Sequence, residues 1–265
     1  MTSSIIARVR QKRIEQLISL GKRLDERGLT DYREVQVEVG VIEKAEGSAR
    51  VRLGKTEVLV GIKIELGAPF SDVPDKGVLT VNAELVPLAS PTFEPGPPNE
   101  NSIELARVVD RGIRESEAID LEKLCIEPGK KVFIVFVDVY VLNYDGNLID
   151  ASALAALAAL LNTKLFKYAV KEGEVQIKPG YKPLSIRNHP VAVTFAKIHD
   201  KLVVDPCLEE EQVMEARLTM TIEKDGKICA LQKGGAGYFK IQQILEAGKI
   251  ARKKAAELRK LVVKK

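Results

Sequence analysis

One long apolar segment constrains the fold more than any other part of the sequence. Residues 132–142 are Val-Phe-Ile-Val-Phe-Val-Asp-Val-Tyr-Val-Leu, with Asp138 as the one charged side chain. An unbroken run of β-branched and aromatic residues predicts a strand, and apolar residues at both odd and even positions predict that both faces are covered. The chain then turns at residues 144–147 into an Ala/Leu-rich helix predicted over 150–162. A sheet must therefore lie at the centre of the core.

The other elements repeat one order, in which strands come first and helices follow. A Pro/Gly-marked connector around Pro179-Gly180 separates the two repeats. The order predicts an α+β fold with two duplicated halves of sheet and helix, residues 1–185 and residues 186–265. The predicted helices cover 5–23, 101–118, 150–162 and about 238–262, and the further predicted strands cover 33–42, 48–53, 56–65, 78–86, 191–198, 201–204, 217–223 and 227–232.

Composition indicates a globular protein and excludes several functional classes. The chain has 265 residues, 45% of them hydrophobic, and a net charge of +4, which permits a nucleic-acid partner without demanding one. Three cysteines stand far apart without a Cys-x-x-Cys pair, as expected of small buried residues in a reducing compartment. Basic residues interrupt the N-terminus where a signal peptide would be apolar, and polar residues interrupt the apolar run at 132–161. We therefore expect a soluble cytoplasmic protein.

The predicted helix at 101–118 carries three arginines in one row. Asn101 followed by Glu104 predicts a capping box, and Pro97-Pro98 exclude an earlier start of the helix. Arg107, Arg111 and Arg114 are spaced i, i+4 and i+7, so they fall within an arc of roughly 60°. Apolar residues on the other side, Leu105, Ala106, Val109 and Ile113, predict the face that packs on the core.

This arginine row has two interpretations. Successive guanidiniums about 5–6 Å apart suit the row of anionic oxygens on a sugar-phosphate backbone. Alternatively, the arginines pair with Glu104, Asp110 and Glu115 on their own helix and form a solvated face.

Short motifs for phosphate or metal binding are weak in this chain. Gly54-Lys55-Thr56 resembles the end of a P-loop, but Ala49 stands where the first glycine is required and a strand follows. Residues 234–237, Gly-Gly-Ala-Gly, are better explained as a tight turn that needs positive φ than as a phosphate site. His189 and His199 have no partner at ligand spacing, so no metal site is predicted.

The richest acidic segment is residues 205–217, Asp-Pro-Cys-Leu-Glu-Glu-Glu-Gln-Val-Met-Glu-Ala-Arg. Its carboxylates could hold a divalent cation or supply a general acid. The simpler expectation is an exposed acidic connection between two strands.

Several long segments of the chain resemble the RNase PH superfamily, and within it the non-catalytic ring subunits of the archaeal exosome. The resemblance covers nearly the whole chain and implies the RNase PH fold. Its most specific parts are the arginine helix and the segments at residues 23–28, Arg-Leu-Asp-Glu-Arg-Gly; 46–58, Glu-Gly-Ser-Ala-Arg-Val-Arg-Leu-Gly-Lys-Thr-Glu-Val; 82–96, Asn-Ala-Glu-Leu-Val-Pro-Leu-Ala-Ser-Pro-Thr-Phe-Glu-Pro-Gly; and 145–152, Asp-Gly-Asn-Leu-Ile-Asp-Ala-Ser.

The chain departs from the active members of that superfamily at two places. Active members shorten RNA from its 3′ end with inorganic phosphate, and they hold the phosphate with a Ser-Arg pair where this chain has Leu148 and Ile149. They also need an Asp at the position matched by Arg217, and a guanidinium cannot replace a carboxylate as proton donor or Mg²⁺ ligand. The resemblance therefore implies no catalytic, cofactor-binding or metal-binding residue in this chain.

The resemblance also implies partners. Three catalytic and three non-catalytic subunits alternate in a hexameric ring, RNA-binding subunits cap one face, and single-stranded RNA threads through the pore. The arginine helix then predicts RNA contacts for Arg107, Arg111 and Arg114. Two alternatives remain open: an active phosphorolytic exoribonuclease with a relocated acid within Glu209–Glu211, and a purely structural ring component that does not touch RNA.

Overall fold

The computed structural model describes residues 2–171 and 174–263, and within these ranges the chain forms helices and strands in a mixed order. The helices are α1 (Thr2–Ser19), α2 (Glu100–Glu115), α3 (Leu148–Leu161), α4 (Leu208–Glu211) and α5 (Ile241–Val262), with a 3₁₀ helix at Leu121–Leu124. The strands are β1 (Val35–Val39), β2 (Gly47–Leu53), β3 (Thr56–Gly67), β4 (Val78–Leu85), β5 (Cys125–Glu127), β6 (Lys131–Asn143), β7 (Lys164–Lys171), β8 (Glu174–Pro183), β9 (Val191–Ile198), β10 (Lys201–Val204), β11 (Ala216–Ile222) and β12 (Ile228–Gly234).

Two larger sheets and the two-stranded β7–β8 sheet organise the described residues, and with the helices they confirm the predicted α+β class. The first has the order β1-β2-β3-β6-β4, with β5 paired to β6. Its central strand β6 runs antiparallel to β3 and parallel to β4, so that Val137 lies between Ile62 and Val81. The second sheet is antiparallel throughout, in the order β10-β9-β11-β12.

The central strand β6 is covered more completely on one face than on the other. Its odd-numbered residues from Phe133 to Val141 are buried, whereas Ile134, Phe136 and Asp138 are half-buried. Tyr140 on that second face is 39% exposed. The prediction that both faces are covered was therefore wrong for this chain, because no layer of the described residues closes over the second face as the helices close over the first.

Helix α3 lies between the two sheets. It packs on β2, β3 and β6 of the first sheet and on β9 of the second. Eleven of its residues are buried, and Leu148, Ala153 and Leu161 are half-buried. A helix that is apolar all round is expected only where it is covered on every side, which explains its Ala/Leu-rich sequence. Helix α2 likewise bridges the sheets, through β4 and β12.

Several predicted boundaries differ from the observed ones. Helix α1 ends at Ser19 rather than residue 23, because Gly21 adopts a φ of 75° and the Lys22 amide donates to the Leu17 carbonyl, closing a Schellman-type cap. The predicted connector around Pro179-Gly180 is the β7–β8 hairpin. Helix α5 begins at Ile241 rather than 238, since Lys240 is extended (ψ 151°) and its amide donates to the Gln243 side chain at 2.9 Å. No helix within the described ranges is both long and apolar enough to span a membrane.

Candidate functional site

The N-cap of the arginine helix α2 lies two residues earlier than the sequence indicates. Asn99 is the N-cap: its backbone is extended, and its side-chain oxygen accepts the Ser102 amide at 3.0 Å. The predicted capping box of Asn101 and Glu104 was therefore wrong. Asn99 directly follows Pro97-Pro98, so the prolines exclude an earlier start but leave this residue free to cap the helix.

The three arginines lie on the exposed side of α2, and their surroundings differ. Arg107 forms no hydrogen bond or ion pair within the part of the chain that the structure describes. Arg111 pairs with Glu115 at 3.1 Å, and both side chains are about half exposed. Arg114 donates from Nε and Nη2 to the Asp110 carboxylate, at 2.9 and 2.7 Å, and also to the Leu79 carbonyl at 3.0 Å. The hydrogen bond with Asp110 raises the pKa of Arg114.

Two open cavities flank the row. One of about 610 Å³ is lined by strand β4 and by all three arginines. The other, of about 480 Å³, lies toward β12, and Arg107 and Arg111 line it as well. Leu105, Val109 and Ile113 of the predicted core face are buried, and Ala106 is half-buried. Arg107 and Arg111 thus lie exposed between the two cavities. Arg114, in contrast, is hydrogen-bonded to Asp110 and to Leu79 of strand β4.

A second candidate site lies at the start of α3. Asn147 caps this helix in the left-handed conformation, with a φ of 54°. The next two residues, Leu148 and Ile149, line a cavity of about 340 Å³ together with Glu211 and Arg217. Hydrocarbon side chains cannot donate hydrogen bonds to a phosphate dianion. At the place that the resemblance assigns to the phosphate, these two side chains therefore supply no ligand.

Arg217 forms an ion pair with Glu104 and does not supply the acid that the resemblance implies at its position. Its Nη2 atom lies 2.6 Å from Glu104 on α2, so the side chain joins β11 to the arginine helix. Its Nε atom is buried and has no hydrogen-bond partner among the described residues. This ion pair occupies the wall of the cavity beneath the first turns of α2.

The acidic segment after β10 is only in part the exposed connection that was expected, because Glu209 and Glu215 are exposed but the other three carboxylates are buried or half-buried. Asp205 is fully buried and accepts hydrogen bonds from Arg27 and Arg33, each at 2.9 Å or less from the nearest guanidinium nitrogen. Burial alone would raise the pKa of Asp205, but the hydrogen bonds and charge of Arg33 lower it. Glu210 is equally buried and binds Arg23 through both oxygens, at 2.8 and 2.5 Å. Removing one partner of such a buried pair would leave an uncompensated charge, so each carboxylate keeps its arginine in place.

Glu211 is the one acid of this segment that reaches the cavity. Its carboxylate accepts the Tyr144 hydroxyl at 2.7 Å and the Asn147 amide at 2.9 Å. Burial raises its pKa despite these hydrogen bonds. Within the described ranges, no group of three His, Cys, Asp or Glu side chains is arranged to hold a metal ion.

Sequence comparison assigns the chain to a family. The 3′ exoribonuclease family (RNase PH) matches the chain with its domain 1 at residues 31–165 and with its domain 2 at residues 188–254. The chain belongs to the RNase PH family.

More specific similarity points to one group of this family. The exosome complex component Rrp42 of Thermococcus kodakarensis is 58% identical over 262 residues, which cover 98% of this chain and 96% of that relative. A chain of the Archaeoglobus fulgidus exosome with RNA bound to the active site is 48% identical, with a TM-score of 0.89 over 97% of this chain and 98% of that one. A chain of an archaeal exosome core is 45% identical, with a TM-score of 0.86 and 98% coverage of both.

Proposed function

We propose that this chain is a non-catalytic subunit of an archaeal exosome, acting in the cytoplasm. It completes a hexameric ring with a catalytic paralogue, and the ring also carries RNA-binding cap subunits. The chain helps to hold the 3′ end of single-stranded RNA while the partner degrades it with phosphate. Its high identity to Rrp42 components supports the assembly, and the chemistry of its own cavity supports the absence of catalysis.

The absence of catalysis follows from two changes in one cavity. Leu148 and Ile149 offer no hydrogen-bond donor from their side chains to an attacking phosphate. Arg217 is held by Glu104 at 2.6 Å. A cationic group that is already paired can neither donate the proton that the leaving oxygen needs nor bind Mg²⁺. Both a phosphate site and an acid would have to be rebuilt before this chain could act alone.

RNA binding rests on one observation above all: Arg107 is exposed and unpaired within the described part of the chain. Arg111 is available too, because an exposed i,i+4 pair such as Arg111–Glu115 is worth only about 0.3–0.5 kcal/mol and is exchanged easily for a phosphate. Arg114 differs, since contact with RNA would require it to leave Asp110 and the Leu79 carbonyl. We assign the main RNA contacts to Arg107 and Arg111, and a lesser one to Arg114.

A binding experiment on the assembled ring tests this assignment. Arg107→Ala combined with Arg111→Ala should weaken the binding of single-stranded RNA uniformly across sequences. The log–log dependence of affinity on salt should flatten by about 0.7 for each lost phosphate contact. The substrate concentration needed for degradation should rise more than the chemical step slows, because the partner performs the chemistry.

A matched control is Lys249→Ala combined with Lys253→Ala, which removes two exposed charges with the same i,i+4 spacing from helix α5. Rings with this change should bind RNA as the unchanged ring does. If the arginine variant also keeps the unchanged affinity and salt slope, the subunit is a structural component that does not touch RNA through this helix.

A second candidate function is an active exoribonuclease in which Glu211 is the acid. The raised pKa of Glu211 favours this alternative, because a general acid must be protonated near the working pH. Against it, both oxygens of the carboxylate are already occupied by Tyr144 and Asn147. Phosphate-dependent release of nucleoside diphosphates by the chain alone, abolished by Glu211→Gln, would establish this alternative.

A further inference from the structure

The β7–β8 hairpin is a strongly charged element that the proposed function does not use. Residues 164–183 contain five lysines and two glutamates, a net charge of +3 in a chain whose total is +4. On the strand residues 164–170 and 175–183 there are four lysines and no acid. None of these four, Lys164, Lys167, Lys178 and Lys182, forms an ion pair with a side chain that the structure describes.

The register of the hairpin brings two of these charges together. Lys167 and Lys178 are direct partners across the ladder, next to an irregularity in the pairing at Phe166/Lys167. Both side chains are exposed. Like charges directly opposite each other destabilise a strand pair. Two opposed lysines that have no ion-pair partner among the described residues are thus unfavourable for the hairpin itself, and an anion from outside would relieve this repulsion.

The base of the hairpin fixes its position on the body of the protein. Phe166 and Tyr168 pack edge-on against Phe133 of β6, with ring centroids 5.4 and 5.1 Å apart. Lys182 lies over the Tyr168 ring at 5.3 Å. A charged surface held by a packed aromatic base presents its cations at defined positions.

An exposed aromatic ring neighbours the lysines along the ladder. Tyr181 is 67% exposed, and the ladder places it between the Lys167–Lys178 pair and the base lysines Lys164 and Lys182. Two acids stand near the base, where Glu43 and Glu46 line a cavity with Lys164 and Tyr181. Glu46 already binds Lys63 at 2.9 Å. The less compensated charge is therefore at Lys167 and Lys178.

We propose that the β7–β8 hairpin is a second contact surface for single-stranded RNA, separate from the arginine row. Lysines bind the phosphates, and the Tyr181 ring stacks on a base, which is the combination that binds single strands without sequence preference. An acidic protein segment would use the lysines equally well but would not need the exposed ring. The inference rests on the proposed function only in taking RNA as the polyanion that the assembly handles.

The test compares rings that carry hairpin variants, with a fluorescently labelled single-stranded RNA as the probe. Lys167→Ala combined with Lys178→Ala should weaken binding and flatten the log–log salt slope by about 1.4, for two lost contacts at about 0.7 each. Tyr181→Ala should weaken binding by about fivefold or more, while Tyr181→Phe should bind as the unchanged ring does, because the stacking surface remains.

Thermal unfolding of the same variants separates lost binding from lost folding. Removing two opposed like charges should leave the lysine variant at least as stable as the unchanged chain. The α5 variant Lys249→Ala/Lys253→Ala again controls for net charge. Unchanged RNA affinity and salt slope in both hairpin variants would overturn the inference, even if the arginine-row variant binds weakly. Loss of binding to polyglutamate with RNA affinity unchanged would assign the hairpin to an acidic protein instead.

Discussion

Arg217 affects both the chemistry and the packing of its cavity. Its guanidinium stands where the family resemblance places a carboxylate, and it binds Glu104 on the arginine helix at 2.6 Å. The residue therefore connects this cavity to the surface that we propose for RNA. Replacing Arg217 by an acidic residue would place a carboxylate at this position and would also remove the ion pair with Glu104 of α2.

Arg217→Asp should not give the isolated chain phosphate-dependent activity. Leu148 and Ile149 still provide no phosphate ligand, and the new carboxylate would face Glu104, so that two like charges replace an ion pair. The measurement is release of nucleoside diphosphates from RNA by the variant in the absence of any partner. Arg217→Lys, which keeps the positive charge, is the matched control for folding, judged by thermal unfolding. Activity in the Asp variant would show that Arg217 alone silences the site.

Sequence patterns predicted the exposed residues of the site better than the buried ones. The i, i+4, i+7 spacing of the arginines was sufficient to place them on one exposed face, because helix geometry is local. The roles of Asp205 and Glu210 could not be predicted in the same way. Their partners Arg33 and Arg23 are 172 and 187 residues away in the chain, and nothing local distinguishes a buried acidic segment from a solvated one.

At the scale of elements, the side chain of Asn99 caps the first turn of helix α2, the helix that carries the arginine row. Asn99→Ala should lower the free energy of unfolding by about 1 kcal/mol, since the Ser102 amide loses its acceptor. Asn101→Ala is the matched control, because Asn101 is an exposed residue inside the first turn, and it should change stability by less than about 0.5 kcal/mol. Urea unfolding measures both. The opposite order of effects would restore Asn101 as the cap.

The β7–β8 hairpin was not predicted, because Pro179-Gly180 indicates a connector rather than part of a strand. Pro179-Gly180 falls within β8, where the pairing shifts from Tyr181 to Lys178. A Pro-Gly pair usually indicates a turn between elements, but on an edge or at an irregularity in pairing it is tolerated within a strand. The prediction that both faces of β6 are covered was wrong for a similar reason. The pattern of apolar residues indicates the character of the side chains but not which layers pack on them.

At the scale of the whole molecule, exposed apolar side chains point to assembly. Leu66, Phe70 and Leu88 are 44%, 56% and 85% exposed, and Tyr238, just before α5, and Ile241 and Leu245, in its first turns, are each more than 60% exposed. Large side chains of this kind are normally covered by a partner when they are contiguous. The division of the chain between residues 185 and 186 remains a prediction.

Mixed with its catalytic paralogue, the chain should form a 1:1 heterodimer that closes into a six-membered ring. Closed rings of alternating subunits use two different interfaces per chain, which suits apolar residues on separate elements. Light scattering combined with size-exclusion chromatography measures the mass of the chain alone and of the mixture. A monodisperse monomer that does not change when the paralogue is added would contradict the proposed ring.

Helix α3 has a consequence for how this sequence can change over time. Because it packs on both sheets and eleven of its residues are buried, it has no solvent side on which substitutions are neutral. An enlarged side chain on one flank would press on the first sheet, and on the other flank it would press on the second. The small alanines of this helix therefore couple the sequence histories of the two sheets, even though the strands that they contact, such as β2 and β9, are far apart along the chain.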